Sequence, residues 1–274
     1  MTKLLLALIV LTFSSLSFAA SQSSGSNTQT TSAAPGLNEQ CAFTFTSGHD
    51  ESFLKFCVTT NGNIIQLETP RGHEHLLFAS TIGEGYGLCD TAGIDYSDYA
   101  DFGDSGNWNP ATVVSQDPKS VKIARTTSDG LWTLTQTFRL VAGTPPSVGI
   151  DMTVTNNSDI ERDLILFRYA NINADGLLQN NLDATRDSTF AWNSTDGDPN
   201  HPHGFGLMLQ NAASTPFHHF GFILKVPDPP KPCNAFINAI VGPITHTDGS
   251  GFVDYLLPTD PHESKTVSVA YKGM

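Results

Sequence analysis

Asp129-Gly130 separates two runs in which apolar and polar residues alternate, and that pairing constrains the chain more than any other feature. Ser120 to Thr127 and Leu131 to Val141 flank the dipeptide, a strong signal for a two-residue hairpin turn. Pairing about that turn sets Val121 opposite Phe138 and Arg125 opposite Leu134. Trp132, Leu134, Phe138 and Leu140 then share a face with Val121 and Ile123, so one side of the hairpin is apolar and the register is specified.

The same style continues on both sides. Short strands are expected near Ala42 to Thr46, Phe53 to Thr60 and Asn63 to Thr69, with His75 to Ser80 a weaker case. Val148, Ile150, Met152 and Val154 alternate along another strand, and Asp163 to Asn171 returns after a turn at Asn156 to Asp159. That return strand is apolar on both faces, which suits a central strand covered on both sides. Further strands are expected over Ser188 to Trp192, Phe205 to Gln210, His219 to Val226, Ala235 to Val241, Phe252 to Leu257 and Thr266 to Tyr271. Helical periodicity is almost absent. About twelve or more short strands over roughly 235 residues imply an all-β fold, a large two-sheet antiparallel β-sandwich in one domain, 38–274.

The run from Val121 to Gly176, with its long strand, its hydrophobic strand ending at Asn156-Asn157-Ser158 and its buried return strand, resembles galactose-mutarotase-like supersandwich domains. The chain as a whole also resembles exported bacterial β-sandwich proteins of unassigned activity. What the first resemblance implies is a supersandwich fold and a site for carbohydrate.

The N-terminus reads as an export signal over 1–19: Lys3, an apolar core from Leu4 to Phe13, and Ser17-Phe18-Ala19 as the cleavage site. Residues 20–37, rich in Ser, Thr, Gln and Gly, read as a flexible tether with nothing to bury. The expected location is secreted or periplasmic, with no membrane span, since no segment approaches the ~20 apolar residues one needs. Four cysteines in such a chain form two disulfides, with three possible connectivities. A hairpin centred on His49 would oppose Cys41 and Cys57, Phe43 and Lys55, and Phe45 and Phe53. Cys89 and Cys233 are then left for each other.

With 14 basic against 27 acidic side chains the net charge is −13. Nucleic acid, which needs clustered Lys and Arg, is disfavoured as a partner. A glycan, a cell-envelope component or a cation fits better. Most of the unusual chemistry lies in Gly83 to Trp108, where carboxylates alternate with aromatic rings and glycines and no basic residue intervenes. Repelling carboxylates need solvent, a cation or polar ligand groups, so the stretch is expected to be a long excursion forming a binding loop.

The candidate ligand-binding residues are Glu84, Tyr86, Asp95, Tyr96, Asp98, Tyr99, Asp101, Asp104 and Trp108, together with Trp192 further on. Rings such as these stack on sugars while Asp and Asn bond hydroxyls; the plain alternative is that they fill the core. Asp95, Asp98, Asp101 and Asp104 recur at every third position and could hold calcium, although the spacing departs from the EF-hand pattern; Asp196 and Asp198 are a weaker pair. No other cofactor is expected. His73-Glu74-His75 places two imidazoles on one strand face, a spacing that metal sites use, with His201, His203, His218 and His219 as further ligands only if folding gathers them. There is no nucleophile elbow, zinc helix or phosphate loop. The expected function is non-catalytic binding, most plausibly of carbohydrate; the alternative is a carbohydrate-active enzyme using Glu84 or an Asp of the excursion with one of the His pairs.

Overall fold

A computed structural model describes residues 40–76, 83–100, 103–193, 204–212 and 214–274; the export signal, the tether, Asp101, Asp196, Asp198, His201 and His203 lie outside them. The described residues belong to one compact unit.

Among the described residues, nineteen strands form three antiparallel sheets. The first holds β1 (Phe43–Ser47), β2 (Leu54–Val58), β3 (Ile64–Glu68) and β4 (Glu74–Leu76) in chain order. Next come β5 (Glu84–Asp90), β6 (Ile94–Tyr99), β7 (Gly103–Asp104), β8 (Thr112–Asp117), β9 (Ser120–Thr126), β10 (Trp132–Val141), β11 (Ser147–Asn156) and β12 (Arg162–Ala170). The remainder are β13 (Asn180–Ala184), β14 (Ser188–Trp192), β15 (Gly206–Asn211), β16 (His218–Leu224), β17 (Ile244–Thr247), β18 (Ser250–Thr259) and β19 (Ser264–Gly273). A nine-stranded sheet runs β17-β13-β14-β15-β19-β11-β10-β9-β8, and a six-stranded one β16-β18-β12-β5-β6-β7. The fold is sandwich-like, and its main core draws Phe56 and Leu67 from the four-stranded sheet, Leu88, Leu166 and Val253 from the six-stranded, and Phe138, Ile150, Leu209 and Val269 from the nine-stranded. Burying these faces against one another supplies the main drive for the fold.

The Asp129-Gly130 hairpin has the expected register, Val121 opposite Phe138 and Arg125 opposite Leu134, with Gly130 at φ 76°. Strand β12 is covered on both sides: Leu164 and Leu166 face the main core, while Phe167 and Tyr169 pack in a second cluster with Tyr99, Leu224 and Phe252.

Three expectations are corrected. The first hairpin pairs Phe43 with Val58 and Phe45 with Phe56 instead of Lys55 and Phe53. A short 3-10 turn at Asp50–Ser52 lengthens the reversal, and the Phe45 and Phe56 rings stack at 5.0 Å between centroids. Ala235 to Val241 is no strand, because Pro232–Asn238 forms a 3-10 helix that packs over the second cluster. Finally, Gly83 to Trp108 is no solvent-filled excursion. Its two longer strands, β5 and β6, lie inside the six-stranded sheet, and all of β5 is buried.

Both disulfides join the expected partners. Cys41–Cys57 spans 5.6 Å between Cα atoms and ties the N-terminal end of the first hairpin. Cys89–Cys233 spans 4.9 Å and fixes the 3-10 segment to β5. Two such bridges fit an oxidising compartment. Among the described residues no helix is long and apolar enough to cross a membrane.

Candidate functional site

Glu84, Asp90, Asp98 and Asp104 of the acidic stretch find arginines. Every second side chain of β5 points into the core, which carries Glu84, Tyr86, Leu88 and Asp90 inward. Arg168 on β12 donates to Glu84 through Nε and, at 2.7 Å, Nη2. Its Nη1 reaches Gln136 Oε1 at 2.5 Å, while Tyr271 donates its hydroxyl to Glu84 at 2.8 Å and the Ile64 amide donates at 2.6 Å. This network joins all three sheets. Burial pushes the Glu84 carboxyl up, against the pull of Arg168; burial also opposes the Arg168 charge, but Glu84 outweighs it and holds the guanidinium above its ordinary range.

A second network centres on Arg125, which donates to Asp98 and, at 2.6 Å, to Asp104, and also meets the Tyr86 hydroxyl at 3.2 Å. Asp98 further accepts from Asn63 at 2.8 Å. Asp90 accepts from Trp132 Nε1 at 2.9 Å and from Arg162 at 3.0 Å. Asp95 accepts the Cys233 amide at 2.5 Å, under the disulfide-pinned segment.

This arrangement corrects two expectations. Asp95, Asp98 and Asp104 do not converge on a metal position: Asp98 and Asp104 share the Arg125 guanidinium, Asp95 accepts the Cys233 amide, and Asp101 lies outside the described residues. Among the described residues no three His, Cys, Asp or Glu side chains are grouped to hold a metal. Nor do Tyr86, Tyr96, Tyr99 and Trp108 make a stacking platform. All four are buried, Trp108 at 8 % exposure being the most open. Tyr86 and Tyr96 meet the Trp108 ring edge-on, and Tyr99 donates its hydroxyl to Pro230 O at 2.8 Å. The glycines of β5 serve close packing. A Cβ on Gly87 would stand 2.4 Å from the Phe167 ring.

His73 and His75 do face the same neighbour, Asp175, which has no sequence signal. His73 Nδ1 lies 2.8 Å from Asp175 Oδ1, and its ring stacks on Phe205 at 3.5 Å. Asn193 donates to the other Asp175 oxygen at 3.3 Å, and Asp175 sits at φ 56°, a region non-glycine residues seldom adopt. His75 is fully occupied: Nε2–H donates to Thr69 O at 2.6 Å and Nδ1 accepts the Asp175 amide at 3.2 Å. Burial therefore lowers its pKa to about 4, and it has no lone pair left for a metal. His219 is bound to Phe217 O and Asp187.

Among the expected aromatic site residues, Trp192 is the one that remains partly accessible. Strand β14 alternates, with Thr189 and Ala191 inward and Phe190 and Trp192 half-buried on the outward face. The two rings are stacked, 5.6 Å apart and 29° from parallel. Cross-strand pairing extends this face from Asp183 through Phe190 and Met208 to Lys272. At its far end the turns at Thr69-Pro70 and Thr144-Pro145 join Met208, Lys272 and Met274 around a cavity of about 440 Å³. The His73–Phe205 stack stands at the same end, since Phe205 precedes Gly206, which pairs with Met274. Phe190, Met208 and Lys272 are single outward positions on strands whose inward neighbours dominate the pattern, so alternation marks their face but not its use.

No family model matches the chain, and no curated protein does. Among solved structures it is similar to a bacterial glucoamylase complexed with acarbose, with a TM-score of 0.59 and 8 % identity over 86 % of this chain and 32 % of that one. It is also similar to a galactose mutarotase-like protein from Lactobacillus casei (TM-score 0.46, 12 % identity, 85 % of this chain and 100 % of that one). A putative aldose 1-epimerase from Escherichia coli K12 gives a TM-score of 0.43 at 11 % identity, over 85 % and 99 % of the two chains. The chain spans about a third of the glucoamylase. At these identities the likeness is one of fold.

Proposed function

We propose that the protein is an exported, non-catalytic binding module for carbohydrate, and that its site is the outward face of the nine-stranded sheet around Phe190 and Trp192. The observation that carries this reading is the stacked, half-buried ring pair beside a cavity of about 440 Å³. Aromatic faces complement the C–H faces of a sugar ring, and the flanking Asp183 and Thr144 offer partners for its hydroxyls. The leader-like N-terminus and the two disulfides support export to the periplasm or beyond.

A second reading, a carbohydrate-active enzyme, is favoured by the His73–Asp175 hydrogen bond at 2.8 Å. A carboxylate on Nδ1 orients an imidazole whose Nε2 then accepts a proton. Retention on a panel of insoluble polysaccharides, followed by analysis of released sugars, separates the two. The module is retained and releases nothing; released oligosaccharide supports the enzyme; absence of both retention and release on every matrix contradicts both.

A further inference from the structure

Resting on the glycan reading of the outward face, we infer that the cavity takes the end of an acidic glycan chain, a terminal sugar carrying one carboxylate, and that Lys272 recognises that carboxylate. Five other cationic side chains, Arg125, Arg139, Arg162, Arg168 and Lys265, are paired with carboxylates. Lys272 is one of several described cations with no carboxylate partner, and among these it is the one that lines the cavity. Its stem runs beside Met208 on the outward face, and it is the one cationic residue lining the cavity. Lys272 is half-buried and shares the cavity with Pro70, Pro145, Met208 and Met274, so an anion held there by a charge-assisted hydrogen bond is partly shielded from water.

Glu51, the acidic residue of the lining, is exposed and already engaged. Its charge disfavours a polyanion at the rim and allows a single carboxylate that meets Lys272. The shape selects a chain end. Thr69-Pro70, Thr144-Pro145 and the C-terminal Met274 bound the cavity, while Phe190 lies two strands from Lys272, about 10 Å at the usual spacing between strands. A terminal sugar in the cavity thus places its neighbour against the Phe190–Trp192 pair.

Three tetrasaccharide probes test this by titration calorimetry: neutral galactose units throughout, one terminal galacturonate, or one internal galacturonate. The terminal acid is expected to bind about tenfold tighter than the other two, the size of one charge-assisted contact. Lys272→Met removes that preference, Lys272→Arg restores part of it, and thermal melts check that each variant is folded. Equal binding of all three probes to the wild type, or an unchanged preference in Lys272→Met, overturns the assignment while leaving the glycan reading standing. If none of the probes binds, this assignment fails; if the polysaccharide panel gives no retention either, the glycan reading fails with it.

Discussion

Arg168 and Glu84, both fully buried, form an ion pair from adjacent strands at the junction of the three sheets. Glu84 receives four donors and Arg168 is further bonded to Gln136, so removing one partner leaves a charge without compensation. Arg168→Met is expected to cost about 3 to 5 kcal/mol in urea unfolding. Tyr271→Phe, which removes one hydroxyl from the same carboxylate, should cost about 1 kcal/mol. A similarly small loss for Arg168→Met would show that the pair is not the point where the sheets are joined.

Trp108 and Trp192 test the division between the core and the proposed recognition face. Trp108→Ala excavates the core between Tyr86, Tyr96 and Arg125, and is expected to destabilise by about 3 to 5 kcal/mol. Trp192→Ala should change stability by less than about 1 kcal/mol and weaken polysaccharide retention at least tenfold. Chemical denaturation and retention, measured on both variants, give opposite patterns if each ring has the role its burial assigns.

Glu74 makes stability depend on pH. Burial raises its carboxyl from 4.5 to about 7, even though the Leu67 amide donates to it at 2.5 Å. The folded state therefore binds the proton more tightly than the unfolded chain, so stability falls as pH rises from 4.5 through 7, by up to about 3 kcal/mol. Glu74→Gln keeps an acceptor and removes the charge. Its melting temperature should match the wild type near pH 4.5 and exceed it above pH 7; parallel curves would contradict the assignment. His75 acts in the other direction, losing stability as pH falls from 6.5 to about 4.

The Cys89–Cys233 bridge closes a sequence separation of 144 residues and holds the 3-10 segment over Tyr99, Phe167 and Phe252. Replacing both cysteines by Ser should cost about 5 kcal/mol by the loop-entropy model. The exposed aromatic cluster should then bind a hydrophobic dye in the native state. A variant that melts like the wild type would show the cover to be held by packing alone.

Much of the fold was legible because alternation and turn chemistry act locally. Val121 through Phe138 could be registered from Asp129-Gly130 alone, and the Cys41–Cys57 bridge survived an error in the register of its hairpin. The acidic stretch was misread because its neutralising partners, Arg125, Arg162 and Arg168, lie on strands distant in sequence. A carboxylate run looks solvated until the topology supplies a cation. Asp175 likewise acquires meaning only once the 3-10 turn at Ala174–Gly176 brings it between His73 and His75. Trp192 is legible as a candidate stacking ring, but Phe190, Met208 and Lys272 join it only through cross-strand pairing.

The account stands on the outward face of the nine-stranded sheet, and not the Gly83 to Trp108 hairpin, being the recognition surface. Mapping amide, indole and methionine methyl shifts on addition of a retained oligosaccharide tests that most directly. Shifts concentrated at Phe190, Trp192, Met208, Lys272 and Met274 are the expected result; shifts confined to Gly83 through Trp108, with Trp192 silent, would contradict it.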